Sequence, residues 1–172
     1  MDAERRSLAE SVLNECRAAG KTVACAESCT GGLLQGALTD IPGSSDVFRG
    51  GAITYCDEIK KKVLGVPSKI LETVGAVSRE CAAAMAEGVL RLCETDFAAS
   101  TTGVAGPDGG TEEAPVGCVW FGFALKDADG LVHCSAIRRV FSGNRDDVRR
   151  AAVSFALDGL LRMVKEGRPQ AK

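Results

Sequence analysis

The sequence has few of the side chains from which hydrolytic and metal sites are usually built. Its 172 residues include one histidine, His133, and one tyrosine, Tyr55. A Ser-His-Asp triad or a histidine-bound zinc ion is disfavoured, because His133 also falls within a predicted strand. We expect any catalytic base to be a different side chain, and we expect a site without a metal or another cofactor.

An excess of one charge and long apolar stretches are also missing. The 21 basic and 23 acidic residues give a net charge of −2 and are interspersed, so the positive bias of nucleic-acid-binding proteins is absent. No apolar run approaches the roughly 20 residues that cross a bilayer, and the first residues do not resemble a signal peptide. We expect a cytoplasmic homodimer with neither nucleic acid nor a membrane as a partner.

Cysteine, in contrast, is abundant. Eight cysteines are spread along the chain, and no two of them form a Cys-x-x-Cys pair. Most fall at apolar positions of predicted helices and strands, where cysteine behaves as a small hydrophobic residue. We expect free, buried thiols rather than disulfides or metal ligands.

Helical and strand patterns alternate along the chain. Helical periodicity is found at 4–19, 33–40, 57–64, 67–73, after Ser78 and after Asn144, and strand patterns at 22–26, 51–55, 97–102, 117–125 and 131–141. This order predicts one α/β domain over residues 1–172, with its core at about 5–165. The sheet should be mixed and mostly parallel, covered by helices on both faces in a three-layer α/β/α sandwich, with a C-terminal antiparallel hairpin.

Three loops leave the ends of predicted strands, after Ala26, Tyr55 and Thr102. If those strands are parallel, the loops gather at one edge of the sheet. That edge is where open α/β folds bind their ligands.

The segment 42–60 contains three groups that could act together as a nucleophilic site. Ser45 follows a Pro-Gly turn, Tyr55 ends a predicted strand and Lys60 lies in the helix that follows. A neutral lysine can accept the proton of a serine hydroxyl and so activate it without histidine. The alternatives are a helix cap for Ser45, a packed strand end for Tyr55 and a solvated helix face for Lys60.

A turn of small residues, Ser28 to Gly32, offers a second hydroxyl. Ser28 could be a nucleophile, a helix N-cap, or part of an anion-binding turn together with Thr30 and Gly31. The residue pattern by itself favours the cap, since serine is among the commonest residues at that position.

The longest irregular segment, 102–117, is rich in glycine. Its backbone N–H groups could surround a phosphate or a developing oxyanion, although a flexible surface loop would have a similar composition. Arg145 stands at the start of the last helix and suits a phosphate monoester. An ion pair with Asp146 or Asp147 is the alternative for this arginine.

Five motifs in this order resemble the CinA C-terminal domain family, which includes stand-alone nicotinamide-nucleotide amidohydrolases. They are AESCTGG (26–32), the PGSS to ITYCDEIK segment (42–60), GAVS (75–78), TGVAGPDGGTEEAPVG (102–117) and FSGNRDDVR (141–149). The likeness covers about residues 5–165. Larger members carry an additional N-terminal domain, so this chain looks like a single-domain member.

The resemblance implies hydrolysis of the carboxamide of nicotinamide mononucleotide (NMN) by a metal-free Ser/Lys/Tyr site. It assigns Ser45 as nucleophile, Lys60 as general base and Tyr55 as its helper. The substrate-binding residues are then expected to be Ser28, Thr30, Gly31, Thr102, Gly103, Gly106, Gly109 and Arg145. The family phrase is closer to TYSNEAK than to TYCDEIK, so Cys56 and Asp57 depart from it.

Two other classes of function remain open at this point. A non-catalytic nucleotide-binding module would bind the same ligand without releasing ammonia. An interaction protein in DNA uptake or repair would need a basic or aromatic surface, and the longest basic run is Lys60-Lys61-Lys62.

Overall fold

The computed structural model describes residues 2–169, which form a five-stranded sheet between two layers of helices. Residue 1 and residues 170–172, which the predicted domain includes, lie outside the described residues. None of the helices within 2–169 is both long enough and apolar enough to cross a membrane.

Within residues 2–169, six α-helices and five strands follow one another in the order that the sequence pattern predicts. The helices are α1 (Ala3–Ala19), α2 (Leu33–Thr39), α3 (Asp57–Leu64), α4 (Ser68–Thr73), α5 (Arg79–Leu92) and α6 (Arg145–Glu166). The strands are β1 (Val23–Glu27), β2 (Phe48–Ile53), β3 (Phe97–Gly103), β4 (Cys118–Lys126) and β5 (Val132–Val140).

The sheet has the strand order β2-β1-β3-β4-β5. Strand β1 pairs in parallel with β2 and with β3, whereas the β3–β4 and β4–β5 pairs are antiparallel. The predicted mixed sheet and its antiparallel hairpin are therefore confirmed. The carboxyl ends of β1, β2 and β3 lie at one edge, because these three strands run in the same direction.

Each face of the sheet has its own hydrophobic core. On one face, helices α1, α2 and α6 pack against Val23 and Cys25 of β1. On the other face, helices α3, α4 and α5 pack against Ala24 and Ala26 of β1. This alternation of β1 side chains between the two cores confirms the predicted three-layer sandwich.

Strand β2 begins and ends earlier than the predicted strand 51–55. It includes two glycines, a residue that usually weakens the interior of a strand. Gly51 is needed there because a Cβ at this position would lie 1.9 Å from the carbonyl oxygen of Cys25. Ser45 and Tyr55 consequently lie beyond opposite ends of β2.

All eight cysteines are free, as predicted. Five of them are buried, namely Cys16, Cys25, Cys29, Cys81 and Cys118. Burial raises the pKa of the Cys16 and Cys81 thiols to about 11, so both are protonated near neutral pH and act as core residues.

Candidate functional site

The loops that follow β1, β2 and β3 meet around a cavity of about 240 Å³ at the carboxyl edge of the sheet. Helices α3 and α6 complete its walls. Its lining residues are Ser28, Cys29, Tyr55, Asp57, Lys60, Ala76, Val77, Thr102, Gly103, Ala105 and Arg145. The expectation that three strand-end loops share one edge is thus met.

Lys60 lies on the buried face of α3, one helical turn before the apolar Leu64. Only 1% of the lysine is exposed. Its Nζ donates to the hydroxyl Oγ of Ser28 at 3.2 Å and to the carbonyl oxygen of Thr54 at 2.9 Å. The two contacts hold the amine against a serine hydroxyl in a place that water barely reaches.

Ser28 follows directly on β1, on the side of the sheet that α3 covers. Alternation along β1 directs Glu27 towards α2, and the next residue falls on the opposite side. The backbone N–H of Ser28 donates to the carbonyl oxygen of Thr101 on the neighbouring strand at 2.9 Å. The strand pairing therefore fixes the backbone position from which the Ser28 hydroxyl reaches Lys60.

Ser28 is not the N-cap of α2, in contrast to the interpretation that its residue pattern favours. The cap position belongs to Gly32, which has no side chain to accept a hydrogen bond. The buried carboxylate of Glu27 takes over this work, accepting from the backbone N–H groups of Gly32 at 2.9 Å, Leu34 at 3.1 Å and Gln35 at 2.8 Å. The Ser28 hydroxyl is thereby left available to Lys60.

Ser45 lies away from the cavity. It is exposed in a single 3-10 turn, Ser44–Asp46, where Arg17 donates to the carbonyl oxygen of Gly43 at 3.0 Å. The six residues of β2 separate this turn from Tyr55 and Lys60, a span of about 20 Å at the usual rise of a strand. The expectation that Ser45 and Lys60 share one site is therefore not met.

Tyr55 and Arg145 come together at the mouth of the cavity. Arg145, the first residue of α6, donates to the Tyr55 hydroxyl at 3.1 Å and to the carbonyl oxygen of Gly106 at 2.8 Å. The tyrosine is 62% exposed, and its hydroxyl contacts Arg145 rather than Lys60. Arg145 does not form the alternative ion pair with either aspartate. Asp146 pairs with Arg150 at 3.3 Å, and the Asp147 carboxylate accepts from the backbone N–H of Asn144 at 3.0 Å.

The other predicted binding residues divide into two groups. Thr102 and Gly103 line the cavity, and the Thr102 hydroxyl donates to the carbonyl oxygen of Ala76 at 2.8 Å. Thr30, Gly31, Gly106 and Gly109 are not among the lining residues, although the Gly106 carbonyl accepts from Arg145. The structure therefore brings only part of the predicted binding set together.

The thiol beside Ser28 does not compete as a nucleophile. Cys29 lines the cavity, but burial raises the pKa of its thiol to about 12. Near neutral pH this cysteine is protonated, and the thiolate is the reactive form.

The turn also presents backbone donors. Within residues 2–169, the N–H groups of Cys29 and Thr30 donate to no other residue, although the Cys29 N–H lies beside its own thiol. Donors of this kind next to a nucleophile can stabilise the negative charge that develops on an attacked carbonyl oxygen.

Two residues that support the site escape sequence reasoning. Glu27 ends an otherwise apolar strand, and this isolated buried carboxylate was the available signal. Arg149 lies one turn after Arg145 on α6 and donates to the carbonyl oxygens of Cys29 at 3.2 Å and Thr30 at 2.9 Å. Nothing local marks Arg149, because its partners are about 120 residues away in the chain.

The chain is similar to known proteins of one family over nearly its whole length. A nicotinamide-nucleotide amidohydrolase, PncC, of Escherichia coli K12 is 46% identical over 159 residues, covering 92% of this chain and 94% of that protein. A CinA-like protein of Gemmatimonas aurantiaca is 48% identical over 155 residues, although the chain spans only 35% of its length.

A solved structure agrees with the fold. The competence/damage inducible protein CihA of Agrobacterium tumefaciens superposes with a TM-score of 0.87 at 39% identity, covering 96% of this chain and 98% of the other. The model of the CinA C-terminal domain matches residues 5–164. The chain therefore belongs to the CinA C-terminal domain family.

Proposed function

We propose that this chain hydrolyses the carboxamide of NMN to nicotinate mononucleotide and ammonia, with Ser28 as nucleophile and Lys60 as general base. The observation that carries the proposal is the 3.2 Å contact between Lys60 Nζ and Ser28 Oγ at the wall of the cavity. Relatives also support the proposal, because proteins that match along nearly their full length are named nicotinamide-nucleotide amidohydrolases.

In the first step, a neutral Lys60 amine accepts the hydroxyl proton of Ser28 while the oxygen attacks the carboxamide carbon. The contact with the Thr54 carbonyl uses one N–H of the lysine. This contact orients the amine, so that its lone pair can face the Ser28 hydroxyl.

The carbonyl oxygen of the substrate then becomes negatively charged. Our candidates for stabilising it are the N–H group of Cys29, which lines the cavity, and that of Thr30, the next residue of the turn. When the tetrahedral intermediate collapses, the Lys60 ammonium gives its proton to the leaving nitrogen. Ammonia departs and the nicotinoyl group remains as an ester on Ser28.

Water completes the cycle. The lysine, again neutral, accepts a proton from a water molecule that attacks the ester carbon. When the ester C–O bond breaks, the Lys60 ammonium returns this proton to Ser28 Oγ, and the released acid loses its own proton to solvent to become the carboxylate. The same two side chains thus serve in both halves of the reaction.

The direct test of the activity is an ammonia assay of the purified chain with NMN. We expect ammonia and nicotinate mononucleotide in equal amounts. Saturable binding of NMN without ammonia release would instead identify a non-catalytic nucleotide-binding module.

We also expect the rate to be independent of metal ions. Within residues 2–169, no group of three or more histidine, cysteine, aspartate or glutamate side chains is arranged to hold a metal. Dialysis against a chelator should leave the ammonia assay unchanged. A loss of activity that only added zinc or manganese restores would contradict this prediction.

Arg145 and the loop 103–110 are the proposed phosphate site. The Arg145 guanidinium contacts two neutral oxygens, on Tyr55 and Gly106, and a phosphate would be a stronger partner than either. Arg145→Ala should weaken NMN binding about tenfold, measured by calorimetry, and should affect nicotinamide riboside little.

Arg150 supplies the control for this prediction. It lies on the same helix, is exposed and pairs with Asp146, so Arg150→Ala should leave NMN binding unchanged. Equal affinities of the wild-type chain for the nucleotide and the riboside would show that no phosphate site exists here.

A further inference from the structure

The cavity contains a carboxylate for which the proposed reaction has no use. Asp57 is the first residue of α3 and lines the same cavity as Ser28 and Lys60. Residues three apart on a helix lie on one side of it, so Asp57 and Lys60 face the cavity together.

The Asp57 carboxylate is not engaged by its neighbours. Asp57 is exposed, and over residues 2–169 its carboxylate forms neither a hydrogen bond nor an ion pair within 4.0 Å. The Lys60 Nζ is directed to Ser28 and Thr54 instead. An acidic side chain in the first turn of a helix does stabilise that helix. Glu58 provides the same stabilisation outside the cavity, however, so the helix does not depend on Asp57.

The charges around the cavity follow a pattern. Among the lining residues of the described chain, Asp57 supplies the one carboxylate, and Arg145 supplies a guanidinium at the mouth. Ser28 and Lys60 are proposed to act on the carboxamide, which is uncharged.

A pyridine nucleotide has the matching pattern. Its ring nitrogen is bonded to ribose and therefore carries a positive charge, the ring bears the carboxamide, and the phosphate is an anion. With the phosphate at Arg145 and the carboxamide at Ser28, the positive ring is the part of the substrate that remains without a partner.

We propose that Asp57 is a specificity-determining residue that recognises the positive charge of the pyridinium ring. The site then selects nucleotides with a cationic ring over those whose ring is neutral. This inference rests on the proposed function, because it takes the orientation of the substrate from the Ser28 and Arg145 assignments.

The test compares NMN with its dihydropyridine form, in which an added hydride makes the ring neutral. Asp57→Asn keeps the side-chain shape and removes the charge. Measured by calorimetry in a Ser28→Ala background, which prevents turnover, the substitution should weaken NMN binding about three- to fivefold. Binding of the neutral dihydropyridine form should be unchanged.

Glu58→Gln is the matched control, since it removes an equal charge one residue away and should leave both affinities unchanged. Equal losses for the two ligands in Asp57→Asn, or no loss for either, would overturn the proposal. In the active chain, Asp57→Asn should raise KM for NMN and leave kcat and its pH dependence as they are. A shifted pH dependence of kcat with an unchanged KM would show that Asp57 acts on Lys60 rather than on the pyridinium ring.

Failure of the proposed function is distinguishable from failure of this inference. If the wild-type chain releases no ammonia from NMN, the hydrolytic role is lost, while the two affinities still report on Asp57. If NMN does not bind to the wild-type chain, both proposals are overturned.

Discussion

Ser28→Ala should lower NMN turnover by at least about a thousandfold, which corresponds to about 4 kcal/mol in the reaction barrier. The reason is that the hydroxyl in contact with Lys60 Nζ is the proposed attacking atom, and alanine has nothing to replace it. NMN binding should persist, because the Arg145 contacts do not involve this side chain. Ammonia release and calorimetry on the same preparation measure the two quantities.

Ser45→Ala is the matched control, and it should retain nearly the full rate. Ser45 is exposed and lies beyond the opposite end of β2 from Lys60. Mass spectrometry of a trapped acyl-enzyme decides between the two serines directly. An adduct on the peptide that contains Ser45, with none on the peptide that contains Ser28, would reverse the assignment.

Lys60→Met should reduce turnover by about 10²- to 10⁴-fold, the usual contribution of a general base. Methionine fills a similar volume but cannot accept a proton. The double variant Ser28→Ala/Lys60→Met should be little slower than the slower of the two single variants, because residues that act as one unit are not additive. The measurement is kcat for each of the three variants.

The same substitution should not destabilise the fold. A buried lysine costs free energy that an apolar side chain of similar size avoids, so Lys60→Met should unfold at the same or a higher temperature. Lys61→Met, on the exposed side of α3, is the control and should leave turnover unchanged. A Lys60→Met variant that keeps most of its activity would rule out the lysine as base.

The architecture follows closely from local sequence patterns. Helix α3 begins at Asp57 and ends at Leu64, as its acidic start and apolar spacing predict. The hairpin of β4 and β5 follows from its turn in the same way. These elements are predictable because their signals lie within a few residues of one another.

The position of the serine beside Lys60 is less accessible to sequence reasoning. Proximity in the chain favours Ser45, which shares one segment with the lysine, whereas Ser28 is 32 residues away from it. Pairing of β1 with β2 brings the distant residue close and carries the nearer one to the other edge. Which residues meet is therefore decided by the direction of the parallel strands and not by separation along the chain.

Arg149 has a consequence for the electrostatics of the turn beside Ser28. The Cys29–Thr30 peptide is trans, and in a trans peptide the C=O and N–H bonds point in opposite directions. By binding the Cys29 carbonyl oxygen, Arg149 therefore directs the Thr30 N–H away from itself. That peptide dipole cannot flip without breaking the contact, so its orientation is fixed before any substrate arrives.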